Sequence, residues 1–261
     1  MSTHNRPSKP IKYIHWVYQG ALVRRLSRMA MGKGFNQELL AIASPQVLQR
    51  QAIAMLLGLH GARSEEVCQL TMDDFDPTQR VDDNGIRFYG QIDIRTIKGG
   101  VDRTVQLGPG NARVLLEWRK QAPRPHGNEP PWLLFSRSGG RLRGSHLLDY
   151  CREITRVLIK RPHKFHALRH TFAMRLLHQT NSITHVAGAL GHASTKNTEV
   201  YTRAYGLLPP EFLETVPRSP AAPDLRRDSQ AGRKRTNVRA NLHKNTQIPP
   251  FQLRLFDGTA S

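Results

Sequence analysis

Apolar side chains at regular helical or strand spacing are concentrated between residues 46 and 216 of this 261-residue chain. A region of that length suffices for one domain of ordinary size with a hydrophobic core. The segment 1–45 before it carries seven basic and one acidic side chain, and the segment 217–261 after it carries nine and three. Because the last segment also contains five prolines and few large apolar residues, we expect it to be largely disordered. The sequence therefore predicts one folded domain over 46–216 between two basic extensions.

Most of the middle region is predicted to be helical, because its apolar residues recur every three or four positions. Two runs rich in β-branched and aromatic residues, 86–94 and 104–107, flank the segment Lys98-Gly99-Gly100 and predict two strands joined by a turn. The fold class is therefore α+β, a mainly helical domain with a small antiparallel sheet. The predicted helical stretches are 47–59, 64–70, 111–121, 147–159, 165–176 and 183–190.

The chain carries 39 lysine and arginine residues against 20 aspartate and glutamate residues, a formal net charge of +19. Such a surplus favours a polyanionic partner, because lysine and arginine replace the counterions condensed on nucleic acid. The two cysteines exclude a disulfide framework and a four-cysteine zinc site within one chain. No apolar run reaches the roughly 18 residues of a membrane span, and no apolar core of a secretion signal follows the first residues. We expect a cytoplasmic protein that binds nucleic acid and has no membrane partner.

Five short elements in a fixed order carry residue types suited to binding or attacking a phosphate. Gly191 suits the left-handed position that ends a helix, so His192 directly follows the predicted end of one helix. Ser194 is predicted to cap the next helix, which carries Tyr201 about two turns in. We therefore expect His192 and Tyr201 on neighbouring elements. The five elements are Gly61-Ala62-Arg63-Ser64-Glu65-Glu66, Lys98, His166-Ala167-Leu168-Arg169, Leu190-Gly191-His192 and Tyr201.

The order and spacing of these elements resemble the tyrosine recombinase, or phage integrase, family over about residues 46–216. In that family the active site contains an arginine followed three positions later by an acidic residue, a hairpin lysine, a His-x-x-Arg, a Leu-Gly-His and a later tyrosine. The resemblance implies a site-specific recombinase that cleaves and rejoins DNA through a 3′-phosphotyrosyl intermediate, in plasmid resolution, integration and excision, or inversion, as mobile elements require. It implies no metal or other cofactor. The implied partners are double-stranded DNA with a specific recombination site, further copies in a homotetramer, and in some settings an accessory protein.

The resemblance assigns the phosphate-binding roles to cationic side chains. Arg63 and Arg169 form the implied clamp, because a guanidinium donates two parallel hydrogen bonds to phosphate oxygens and stays charged, and because the attacked phosphate gathers negative charge. His192 is implied to donate to a non-bridging oxygen. Lys98 is implied to protonate the leaving 5′ oxygen. Glu66, one turn after Arg63, is implied to orient the basic groups.

Tyr201 is the implied nucleophile, and His166 is the implied general acid–base catalyst. A phenol has a pKa of about 10, so its proton must leave as attack begins or be displaced by nearby cations. His166 and His170 lie four residues apart on one helix face, which also suits a pair of metal ligands. The glutamate that metalloprotease helices place between such histidines is absent and no third ligand is evident, so a metal site is not favoured. We interpret His170 as a neighbour that hydrogen-bonds or packs beside the active site.

Two other functions are compatible with these residues. A type IB topoisomerase-like enzyme uses the same phosphotyrosine chemistry as a monomer and relaxes supercoiled DNA without a defined site. A non-catalytic DNA-binding remnant would regulate or occlude a site without cutting it. A covalent protein–DNA adduct separates both enzymes from the remnant, and relaxation of any supercoiled DNA identifies the topoisomerase.

Many members of this family carry a helical core-binding domain ahead of the catalytic domain, and here about 45 residues precede the matched region. We expect no full core-binding domain in 1–45, as in short members such as fimbrial phase-variation invertases and some plasmid resolvases, or a clamp supplied by a partner. Arg24, Arg25 and Arg28 form a basic cluster close in sequence to three aromatic residues. We hypothesise that these arginines hold DNA backbone phosphates in place of that domain.

Overall fold

The computed structural model describes residues 11–81, 85, 87–97, 99–121, 130–136 and 139–207. Lys98 and the predicted basic tail over 217–261 lie outside these residues. The described part of the chain is mainly helical, as predicted, and none of its helices combines the length and apolar content that a membrane span requires. The helices are α1 (Trp16–Ala30), α2 (Gln37–Leu40), α3 (Pro45–Gly58), α4 (Ser64–Gln69), α5 (Pro109–Arg119), α6 (Gly144–Ile159), α7 (Phe165–Thr180), α8 (Ile183–Leu190) and α9 (Glu199–Gly206).

Short antiparallel strands accompany the helices and confirm the α+β class. The strands are β1 (Phe75–Asp76), β2 (Arg80–Val81), β3 (Arg87–Phe88), β4 (Gln91–Ile94) and β5 (Arg103–Gln106). One sheet has the order β1-β4-β5, and β2 pairs with β3. β4 and β5 form the predicted hairpin, with Ile92 opposite Val105 and both side chains buried. The predicted strand over 86–94 is interrupted at Gly90, whose φ of 150° and close approach to the carbonyl oxygen of Asp76 leave no space for a side chain.

The core is built around α3, which is buried along most of its length. α1, α5, α6 and α7 pack around it, so its apolar residues meet a neighbour on every side. The first apolar residues of α7 face this core, where Phe165 and Leu168 pack against Gly58 at the end of α3. Farther along α7, Phe172 and Leu176 belong to a second apolar cluster with α8 and α9. α7 therefore joins the main core to α8 and α9.

α1 and α2 lie inside the segment 1–45, which the sequence predicts as a basic extension. Leu22, Leu26 and Met29 of α1 are at most 1% exposed and belong to the same core as α3. Their spacing of four and three residues is a helical signal, although the arginines between them obscure it. The core therefore crosses residue 46, the predicted start of the domain.

The segment between α8 and α9 corrects the predicted position of Tyr201. Ser194 caps a short 3₁₀ helix over Thr195–Asn197, where its hydroxyl oxygen accepts a hydrogen bond from the backbone N–H of Lys196. α9 then begins at Glu199, so Tyr201 lies in its first turn and not two turns in. The residues that the sequence assigns to the first turn of the Tyr201 helix therefore form a separate 3₁₀ turn.

Candidate active site

Glu66, in the first turn of α4, is the centre of a buried ionic cluster. Its carboxylate lies 2.6 Å from Arg63 Nη1, 2.6 Å from Arg103 Nη2 and 3.7 Å from Arg169 Nη1. It also accepts a hydrogen bond from the backbone N–H of Arg63 and so caps α4. Burial opposes ionisation of Glu66, but the hydrogen bonds and charges of these arginines outweigh it and lower the pKa of the carboxyl. Glu66 is therefore an anion that gathers three guanidinium groups, and we call the four residues the Glu66 cluster.

Arg169 is almost completely buried on α7, with 1% of its surface exposed. Its guanidinium donates to the carbonyl oxygen of Gly61 and, at 2.8 Å, to that of Leu190. Its Nη2 also lies 3.1 Å from Nε2 of His192. Burial, and after it the charges of the neighbouring arginines, lowers the pKa of Arg169 to about 9, which leaves the group protonated at neutral pH. Arg169 therefore joins the loop before α4 to the end of α8 and fixes a positive charge between them.

His192 follows the end of α8 at Gly191, which has the predicted left-handed conformation with a φ of 65°. A guanidinium donates and cannot accept, so Nε2 of His192 accepts from Arg169 and Nδ1 carries the proton. Nδ1 donates that proton to Oγ1 of Thr198 at 2.8 Å. Burial, followed by the charge of Arg169, lowers the pKa of His192 to about 4 and keeps the ring neutral. In this arrangement Nε2 is an acceptor, whereas the expected role of His192 requires it to donate to a phosphate oxygen.

Arg63 and His166 form the exposed side of the pocket. The Arg63 side chain is 34% exposed, whereas those of Glu66, Arg103 and Arg169 are at most 1% exposed. His166 is exposed in the first turn of α7. The partial burial of its ring, and then the charges of Arg169 and Arg63, lower its pKa. A ligand that arrives from solvent therefore meets Arg63 and His166 before it meets the buried arginines.

Tyr201 is buried between α9 and α7, with 3% of its surface exposed. Its hydroxyl oxygen lies 2.9 Å from Nδ1 of His170, the predicted hydrogen-bonding neighbour. The His170 ring in turn contacts the ring of His166 edge to face, with 4.4 Å between the centroids. Burial raises the pKa of Tyr201 against the opposing charges of Arg169 and Arg63, so the phenol is protonated at neutral pH. The structure therefore places His170 against the phenol, and His166 contacts His170.

Arg103, the member of the Glu66 cluster that lies on β5, is not among the residues predicted for the site. Its side chain points to the same side of the strand as Val105 and Leu107, and all three residues are buried. Its Nη2 donates to Glu66 at 2.6 Å and to the carbonyl oxygen of Gly61 at 3.2 Å. Its Nε and Nη1 have no hydrogen-bond partner among the described residues. An arginine on the apolar side of an alternating strand is the signal that identifies such a residue.

The β4–β5 hairpin is seated on the turn that precedes His192. The backbone N–H of Val101 donates to the carbonyl oxygen of Gly191 at 3.1 Å. A side chain at Gly191 would come within 2.9 Å of Nη1 of Arg103, so glycine permits this close approach. Lys98, which the sequence places between β4 and β5, lies outside the described residues.

The Glu66 cluster keeps an excess of positive charge, because three guanidinium groups surround one carboxylate. Like charges are costly to hold together in a poorly hydrated site, and an anion bound on the exposed side reduces that cost. Guanidinium groups hold phosphate oxygens well, since their N–H donors match the spacing of those oxygens. No group of three or more His, Cys, Asp or Glu side chains in the described ranges could hold a metal ion. The arrangement can therefore bind a phosphate next to a buried phenol.

Arg24, Arg25 and Arg28 lie on the exposed face of α1. The Arg25 guanidinium also donates to the carbonyl oxygen of Leu158 near the end of α6, so part of its donor capacity is used within the fold. Arg24 and Arg28 are the members of this group whose side chains we consider open to a polyanion.

Sequence comparisons match most of the described chain. A sequence profile described as the phage integrase family matches residues 35–206. The tyrosine recombinase XerC of Chromohalobacter salexigens is 29% identical over 164 residues, which cover 61% of this chain and 50% of that protein. The tyrosine recombinase XerC of Chromobacterium violaceum is 31% identical over 153 residues, or 58% of this chain and 47% of that protein. The chain thus matches about half the length of these relatives.

Solved structures show the same fold. The crystal structure of XerA recombinase superposes with a TM-score of 0.54 at 22% identity, over 82% of this chain and 65% of that one. The XerH site-specific recombinase in a post-cleavage complex with its palindromic difH substrate gives a TM-score of 0.56 at 21% identity, over 77% of this chain and 52% of that one.

Proposed function

The chain belongs to the phage integrase family, and from this premise we propose that it is a site-specific DNA recombinase. In the proposed reaction Tyr201 cleaves one strand of double-stranded DNA, forms a 3′-phosphotyrosyl link and passes the strand to a new partner. The observation that carries the proposal is the buried phenol of Tyr201, which feels the positive charges of Arg169 and Arg63, two of the three arginines around Glu66. The phenol supplies a nucleophile, and the excess positive charge suits a phosphodiester.

We propose that the arginines act mainly on the transition state. The attacked phosphate gathers negative charge on its non-bridging oxygens, and donors that are already fixed in place need no reorganisation when that charge develops. Arg169 is fixed by two backbone carbonyl oxygens, and Arg63 presents its guanidinium at the exposed side. Glu66 and Arg103 hold the other two in position. Because guanidinium groups provide the positive charge, we propose a reaction that needs no metal ion.

The remaining proposed roles concern protons and the bond that breaks. Lys98 would protonate the leaving 5′ oxygen, which is a poor leaving group as an alkoxide. His166, on the exposed side, would contact a phosphate oxygen. His192 would donate to one in its other tautomer, in which Nε2 carries the proton and Nδ1 accepts from the hydroxyl of Thr198. The phosphotyrosyl link conserves the energy of the broken bond, so rejoining requires no nucleotide cofactor.

The biological setting is also a proposal. Resemblance to tyrosine recombinases supports a homotetramer that joins two specific DNA sites, with an accessory protein in some settings. Plasmid resolution, integration and excision, and inversion on a mobile element all use this reaction. The net charge of +19 and the two free, buried cysteines support a cytoplasmic protein that works on DNA.

A covalent adduct with DNA tests the proposed function. The protein is incubated in EDTA with nicked duplexes of randomised sequence, in which cleavage next to the nick releases a short fragment and traps the protein on the DNA. We expect wild type to form an adduct that survives denaturation and Tyr201→Phe to form none, because phenylalanine keeps the ring but lacks the nucleophilic oxygen. Tyr205→Phe is the matched control on α9 and is expected to form the adduct.

Other outcomes of this experiment would contradict the proposal in distinguishable ways. An adduct that disappears in EDTA indicates a metal-dependent reaction. Binding without any adduct indicates a DNA-binding protein that does not cut. Relaxation of any supercoiled plasmid without a preferred site indicates topoisomerase-like activity instead of recombination.

We further propose that the exposed arginines of α1 hold DNA backbone phosphates. Replacing Arg24 and Arg28 together by glutamine is expected to weaken binding to every duplex sequence. The slope of log binding constant against log salt concentration should fall in magnitude by about two, since two phosphate contacts are lost. Arg25 is kept in this variant because it also binds Leu158. An unchanged slope would reject this role for α1.

A further inference from the structure

The hydroxyl of Tyr201 and the imidazole of His170 form a pair between α9 and α7. The oxygen and Nδ1 are 2.9 Å apart, and the rings meet edge to face with 5.5 Å between their centroids. Tyr201 is only 3% exposed, so bulk water has little access to its proton. A proton that leaves this phenol therefore already has an acceptor within hydrogen-bond range.

His170 is held in the neutral form that can accept a proton. Burial, followed by the positive charges of His166 and Arg169 on the same helix, lowers the pKa of His170 to about 4. The group that faces it from α9 is Tyr201. A phosphate bound at Arg169 adds negative charge nearby and makes His170 more basic. DNA binding thus prepares His170 for the transfer.

His166 is in a different position. It is exposed at the start of α7, and its ring contacts the ring of His170. Its electrostatic surroundings include Arg63 and Arg169, the two arginines proposed to hold the phosphate. His166 is therefore better placed to meet a phosphate oxygen than to meet the buried phenol.

We propose that His170, and not His166, accepts the phenolic proton when Tyr201 attacks the phosphate. This inference rests on the proposed function and names the group that moves the proton. As the bond between the Tyr201 oxygen and phosphorus forms, the O–H bond breaks and its proton moves to Nδ1 of His170. The bond between phosphorus and the 5′ oxygen breaks at the same time, and that oxygen takes a proton from Lys98. On rejoining, the 5′ hydroxyl attacks, its proton returns to Lys98, and His170 returns its proton to the departing phenolate.

His170→Asn separates proton transfer from positioning. The Oδ1 atom of asparagine lies close to where Nδ1 of histidine lies, so it can accept the hydrogen bond of Tyr201, but an amide does not take up the proton. Single-turnover cleavage is measured on a nicked duplex selected from the adducts of the randomised pool. We expect His170→Asn to cleave about 10²–10⁴-fold more slowly than wild type at neutral pH.

The pH profile is the readout that a purely structural role would not change. Wild type is expected to have a nearly constant rate from about pH 7 to about pH 8, because its base is unprotonated and Arg169 is still protonated over that range. In His170→Asn the phenol must lose its proton to solvent, so the rate should rise about tenfold per pH unit over the same range. His166→Ala is expected to be slower than wild type but to keep the flat profile.

A matched control is available on the same two helices. Nδ1 of His178 lies 2.7 Å from the hydroxyl oxygen of Tyr205, so α7 and α9 share a second histidine–tyrosine contact. His178→Asn makes the same substitution and loosens the same helix pair, and we expect its pH profile to stay flat.

Replacing the leaving 5′ oxygen of the DNA by sulfur tests whether a variant lacks the general base or the general acid. A thiolate departs without taking up a proton, so sulfur restores cleavage only where the acid is missing. The substitution is expected not to restore His170→Asn, because the missing step concerns the nucleophile. A flat profile with a near wild-type rate in His170→Asn, a pH slope that appears in His166→Ala instead, or rescue of His170→Asn by sulfur would overturn the inference. The proposed function fails separately, if wild type forms no adduct or Tyr201→Phe forms one.

Discussion

Arg169→Ala is expected to slow formation of the covalent DNA adduct by at least about 10²–10³-fold, the usual loss when one fixed donor to a transition-state oxyanion is removed. Arg169 is the buried cation that contacts Glu66, His192 and two backbone carbonyl oxygens, so alanine removes both a charge and an anchor of the pocket. The rate is measured with saturating protein on the selected nicked duplex, so that weaker DNA binding does not affect the measured rate of adduct formation.

In Arg169→Ala, a lower stability of the fold must be distinguished from a lower rate of adduct formation. Arg50→Ala is the matched control, because Arg50 is also a buried arginine that donates to a backbone carbonyl oxygen, that of Phe135 at 2.6 Å. It is expected to destabilise the fold and yet keep the adduct rate when both variants are assayed well below their unfolding temperatures. Arg169→Lys keeps the charge but loses the forked contact, and should stay far slower than wild type. A rate for Arg169→Ala within a few-fold of the Arg50→Ala rate would contradict the proposed role.

Glu66→Gln is expected to lower the free energy of unfolding by about 3–5 kcal/mol, the range for removing one partner of a buried ionic cluster. Glutamine keeps the shape of the side chain but leaves Arg63, Arg103 and Arg169 to repel one another without a counter-charge. Urea unfolding measures the change. Glu153→Gln removes a carboxylate from an exposed pair with Arg156 and is expected to change the unfolding free energy far less.

The pH dependence of this effect follows from the lowered pKa of Glu66. The folded pKa lies below the unfolded value of about 4.3, so the stabilisation is complete above that value and is lost as the pH falls through the folded pKa. The difference between wild type and Glu66→Gln should therefore be largest at neutral pH and shrink in acid. A difference at neutral pH no larger than that of Glu153→Gln would show that the carboxylate does not hold the cluster together.

Much of the pocket can be predicted from the sequence, because several of its residues sit at positions that local structure fixes. Glu66 lies three residues after Arg63 at the start of a helix, so its carboxylate returns to the Arg63 backbone. His192 follows a glycine that ends α8, and this places the ring beside Arg169. The β4–β5 hairpin is predictable for the same reason, since its two strands adjoin a glycine-bearing turn in the sequence.

The other features of the site depend on how the helices and strands pack together. The spacing of residues in the sequence does not specify that packing. His166 and His170 share one helix face, and the one that meets Tyr201 is decided by where α9 begins after its 3₁₀ turn. Arg103 joins the pocket because the strand register turns it towards Glu66, which a strand pattern alone does not reveal. α1 is obscured in the sequence by its exposed arginines, although its apolar residues complete the core.

The residue that carries the DNA in the covalent adduct shows which side chain attacked the phosphate. The wild-type adduct is digested with nuclease and trypsin, and the modified peptide is sequenced by mass spectrometry. We expect a nucleotide joined through its 3′ phosphate to Tyr201, within the tryptic peptide 197–203, which trypsin separates from Tyr205. A nucleotide on Tyr205 or on any residue outside that peptide would contradict the claim that the phenol of Tyr201 attacks the phosphate held by the arginines.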